Sequence, residues 1–138
     1  MTVKFARPST MRDIKIGPLA IKDETLLDIL DTAGYGINYW ADAATIDRKA
    51  KTYTIHEQEP QDDDGEGVYT VTFDKLHETY WRIVAGEFSM GGQVRSYFVK
   101  AALDGAANDD DDIDAGHIDS EAADVLVQIA AFGEIVYG

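Results

Sequence analysis

Cysteine is absent from this 138-residue sequence. Disulfide stapling, thiolate catalysis and every cysteine-ligated zinc or iron–sulfur centre are thereby excluded, so stability has to come from packing. Long apolar runs are missing too, and nothing approaches the roughly 20 residues of a membrane-spanning helix. The opening MTVKFARPST has no apolar stretch behind its basic residues, so no secretory leader is expected and the chain reads as cytoplasmic. Cations are few, 12 Lys and Arg against 26 Asp and Glu, for a formal net charge of -14.

That deficit is uneven. Residues 1–22 carry Lys4, Arg7, Arg12, Lys15 and Lys22 against Asp13 alone, whereas residues 101–138 carry ten acidic groups and no Lys or Arg. A field of this sign repels phosphate backbones and anionic bilayers, so direct binding to nucleic acid or membrane is not expected. It favours a basic protein partner, or serves solubility alone.

Length and a hydrophobic content of 45% fit one globular domain over residues 1–138, with a basic N-terminal strand segment at 1–22 and an acidic loop at 104–118. Alternating apolar residues around Ile14, Ile16, Leu19 and Ile21 predict one or two edge strands. Leu26, Leu27 and Leu30 predict a helix from an Asp23 cap to about Ala33, stopped by Gly34. A strand from Ile37, a turn over 47–51, a strand in TYTIHEQE and a third in VYTVTF predict a meander. Helices are expected over about 74–85 and 93–103, and again from Asp119 or Ser120, the last with Val125, Ile129 and Phe132 on one face. Gly133 should end it and release an EIVY tail that returns as a strand. The expected class is α+β: a small antiparallel β-meander of about three to five strands packed against three to four helices.

Motifs of catalysis are lacking. There is no GxSxG, no GxGxxG or P-loop frame, and no HxH or HExxH spacing among His56, His77 and His117, so neither an enzyme nor a cofactor is expected. The acidic run invites a calcium reading, with Asp110, Asp112, Asp114 and Glu121 at positions 1, 3, 5 and 12 of an EF-hand loop. In that register Ala115 replaces the required glycine. Shifting by one restores Gly116 but puts Ile113, Ala115 and Ala122 at ligand positions.

Two segments, Gly36-Ile37-Asn38-Tyr39-Trp40 and the ending Phe132 to Gly138, resemble a group of small uncharacterised proteins carried by bacteriophages and by actinobacterial and other high-GC genomes. The resemblance covers most of 23–138 and implies no activity or ligand. A mobile-element setting suggests a DNA-mimic-like role, since ten acidic groups match the charge of roughly 17 Å of duplex. The leading expectation is a non-catalytic acidic protein that engages a basic host nucleic-acid-binding or defence protein through Asp109, Asp110, Asp111, Asp112 and Asp114. Two alternatives stand beside it. One is a small-molecule or nucleotide-metabolite binder with an aromatic cleft at Tyr39, Trp40 and Trp81. The other is a salt-adapted domain whose charge only keeps it in solution.

Overall fold

A computed structural model describes residues 21–60, 66–107 and 112–138; the expected N-terminal strands lie outside them except for Ile21, which is buried and belongs to no strand among the described residues. Helix α1 spans Asp23–Gly36 and buries Leu26, Ile29, Leu30 and Ala33, a stripe at helical spacing. Asp23 is its first residue, not its cap, because Lys22 holds the cap position in extended backbone. Gly34 does not stop the helix either. It faces open space, so nothing there requires a break, and the helix runs on to Gly36. A Cβ on Gly36 would lie 2.2 Å from the Ser120 carbonyl oxygen, so only glycine lets α1 approach the start of the last helix so closely.

Residues 37–40 form a turn rather than the expected start of a strand, with Ile37 and Trp40 buried. Strands β1 (Ala41–Asp47), β2 (Thr52–Glu57) and β3 (Val68–Thr72) then make an antiparallel sheet in the order β1-β2-β3. Asp47 accepts from the amides of Lys49 and Ala50 and closes the first turn. Tyr53, Ile55 and Glu57 face inward, as the two-residue period requires, while Thr54 and Thr70 share a hydroxyl contact of 3.0 Å outside.

Helix α2 (Phe73–Val84) opens on Thr72, whose hydroxyl accepts from the Lys75 amide, and buries Leu76, Tyr80, Ile83 and Val84. Helix α3 runs over Gly92–Ala107, four residues into what was expected to be acidic loop. The reason is contact: a Cβ on Gly105 would meet the Asp112 carbonyl at 2.0 Å, and the Asp114 amide donates to Ala101, so this end of α3 is packed beneath the returning chain. After a 3-10 turn at Ala115–His117, Asp119 caps α4 (Ser120–Phe132) and Gly133, at φ 84°, ends it. Every residue of α4 from Ala122 to Ala130 is buried. The single apolar face expected of α4 is thus too narrow a description, because α1, α2, α3 and β3 all pack against it. The described residues therefore form an α+β fold, a three-stranded antiparallel sheet with four helices around a shared core. None of these helices is long and apolar enough to cross a membrane.

Candidate functional site

Burying all sides of α4 forces two polar side chains, Asp124 and Gln128, into the core. One turn apart on the same face, they address the two segments quoted above. Asp124, 6% exposed, accepts from the Trp40 indole N–H at 2.8 Å, the Tyr39 hydroxyl at 2.8 Å and the Gln128 amide at 2.9 Å. The Gln128 carbonyl oxygen accepts from the backbone amides of Val136 and Tyr137, both at 2.8 Å, and its amide group donates to the Tyr137 carbonyl at 3.2 Å. The expected terminal strand is thereby replaced: among the described residues the tail pairs with no strand, and one glutamine side chain supplies its hydrogen bonds. The Tyr137 ring lies flat on Trp40, with centroids 5.0 Å apart and planes 8° from parallel, and its hydroxyl donates to buried Glu57.

Beside this network a cleft of about 510 Å³ opens between the end of α1, the starts of α3 and α4, and the tail. Its aromatic edge is Tyr35 and Tyr39, 80% and 51% exposed. Met90, Val94, Val125 and Ile135 give apolar lining, and Glu121 and Asp124 bring carboxylates. Among the described residues that line it there is no Lys or Arg. Burial, together with the hydrogen bond and negative charge of Asp124, pushes the Tyr39 hydroxyl up to about 12.

Of the residues expected to form an aromatic cleft, Tyr39 lines this one and Trp40 lies buried behind it. Trp81 is elsewhere, on a second depression with His77 and Arg82, so the three rings do not share a site. Asp109, Asp110 and Asp111 of the expected partner surface lie outside the described residues. Asp112 is turned inward, 8% exposed, and accepts from the Thr25 hydroxyl and the Ile113 amide. It ties the loop to the start of α1 and offers little charge to a partner. Asp114 is exposed, and one of its oxygens accepts from the Gly116 amide. Of the EF-hand carboxylates among the described residues, Asp112 is directed at α1 and Glu121 lines the cleft, so these two do not face one point; Asp110 lies outside the described residues. A different trio does converge: His117 Nε2 lies 2.5 Å from Asp104 and 3.9 Å from Asp114.

The site residues that sequence reasoning missed are Asp124, Gln128, Tyr137 and Glu57. Asp124 and Gln128 left a signal, as the two strongly polar positions in an otherwise apolar run from Ala122 to Ala131.

Comparison with protein-family models, curated proteins and solved structures finds no match.

Proposed function

We propose that this is a non-catalytic binding protein that engages a basic protein partner by charge. The observation that carries the reading is a row on α1. Glu24, Asp28, Asp31 and Tyr35, spaced four, three and four residues apart, are all exposed and fall within an arc of roughly 60°, opposite the buried stripe. Helix α1 has four acidic residues and no basic one, and the row ends on Tyr35, at the edge of the cleft. Such a row complements Lys and Arg side chains on a partner surface, of which host nucleic-acid-binding and defence proteins are the class that fits. Three carboxylates over about 10 Å of helix are sparser than duplex phosphates, so the row supports a basic partner more directly than full imitation of DNA.

Binding of a lysine-rich peptide tests the reading by comparing two triple variants. Neutralising Glu24, Asp28 and Asp31 should weaken binding about tenfold or more at low salt, while neutralising the exposed Asp42, Asp74 and Glu134 should change it little. Equal losses in the two variants would mean that the charge is a solubilising coat. The cleft supports a second reading, a small-molecule site at Tyr39, because a cavity of this size with carboxylates beside apolar walls has the anatomy of a ligand pocket.

A further inference from the structure

Asp124 is a carboxylate more than nine-tenths buried, and no cation pairs with it among the described residues. Hydrogen bonds from Trp40, Tyr39 and Gln128 occupy three of its roughly four acceptor positions. The position left belongs to Oδ2, the oxygen that accepts from Tyr39 at the cleft. A buried charge without a counter-ion is costly, and a cation brought into the cleft would complete it. Glu121, one turn earlier on α4, adds a second negative charge to the same lining.

We propose that the cleft receives one cationic side chain, a lysine or arginine carried by the basic partner, with its charge between Glu121 and Asp124 and its stem against Tyr35, Tyr39 and the apolar wall. The proposal rests on the reading above and names the point of contact. Exposed aromatic faces attract cations, and the edge of this acidic cleft carries Tyr35, largely in water, and Tyr39, half exposed. Met90, Val94 and Ile135 suit the methylene stem of such a side chain, whose charged head alone needs polar partners. A protein segment is favoured over a free amine because the α1 row begins at the cleft's own Tyr35 and can meet further basic residues of the same chain.

The test is calorimetry at low salt with a glycine-spaced lysine peptide, its norleucine counterpart and spermidine. The lysine peptide should bind and the norleucine peptide should not. Glu121→Gln and Tyr35→Ala, both at exposed positions that leave the core intact, should each weaken binding about 5–10-fold, while Asp42→Asn leaves it unchanged. Lysine-peptide binding that is insensitive to Glu121→Gln and Tyr35→Ala, yet lost on neutralising the α1 row, would overturn the cleft proposal and spare the charge reading. No binding of either peptide would remove both. Norleucine binding as tight as lysine, or spermidine as tight as the peptide, would overturn the assigned occupant.

Discussion

At the residue scale the polar groups in the core divide into those that are matched and those that are not. Gln128 is fully buried and serves Asp124, Val136 and Tyr137 together. Gln128→Leu keeps the volume but strands two backbone amides and removes a donor from Asp124, so chemical denaturation should show a loss of about 2–4 kcal/mol. Tyr53 is the opposite case. Its hydroxyl is buried and has no hydrogen-bond partner among the described residues. Tyr53→Phe should therefore raise stability at neutral pH by about 1 kcal/mol, measured the same way. Burial pushes the Tyr53 hydroxyl up to about 12 from 10, chiefly because the charged form would lose its water. The folded form thus holds its proton where the unfolded form releases it, so titration of Tyr53 costs nothing below pH 10 and takes stability away as pH rises from 10 towards 12. Circular dichroism should show alkaline unfolding over that window, and Tyr53→Phe should remove roughly 2–3 kcal/mol of the pH dependence.

At the element scale, what was legible depended on whether neighbours agreed with local pattern. The meander was readable because Tyr53, Ile55 and Glu57 alternate with less buried residues, and α2 because Leu76, Tyr80 and Ile83 repeat on one face. Helix ends were less readable. Gly34 and Gly36 look alike in sequence, but only Gly36 touches another element. The same physics extended α3 to Ala107, since Gly105 is required by the Asp112 backbone and not by a turn. The site was half legible: Tyr39 and Trp40 stood out as aromatics, whereas their carboxylate lies 84 residues from Trp40 and no local pattern joins them. Gly36→Ala should separate α1 from α4 and cost about 2–4 kcal/mol, while Gly34→Ala, in open space within a helix, should gain up to about 1 kcal/mol. Melting temperatures of the two single variants check the contrast.

For the whole molecule the governing quantity is charge. A net charge of -14 loads the fold with self-repulsion, part of it concentrated on α1. Screening should relieve it: raising salt from about 10 mM to 500 mM, where the Debye length falls from about 30 Å to a few ångströms, should raise the melting temperature by several degrees. Neutralising Glu24, Asp28 and Asp31 should capture part of that gain at low salt and flatten the response. Among the described residues the acidic character is not confined to the C-terminal segment: Asp112 serves the interior, Asp114 is exposed, and a regular exposed row stands on the first helix.

The stacking of Tyr137 on Trp40 gives the protein an optical gauge of its own tail. Trp40 is buried and its N–H is bound to a carboxylate, so detachment of residues 134–138 would bring water to the indole and shift its emission to the red. With Trp81→Phe removing the other tryptophan, fluorescence would follow undocking of the tail separately from the melting of the helices.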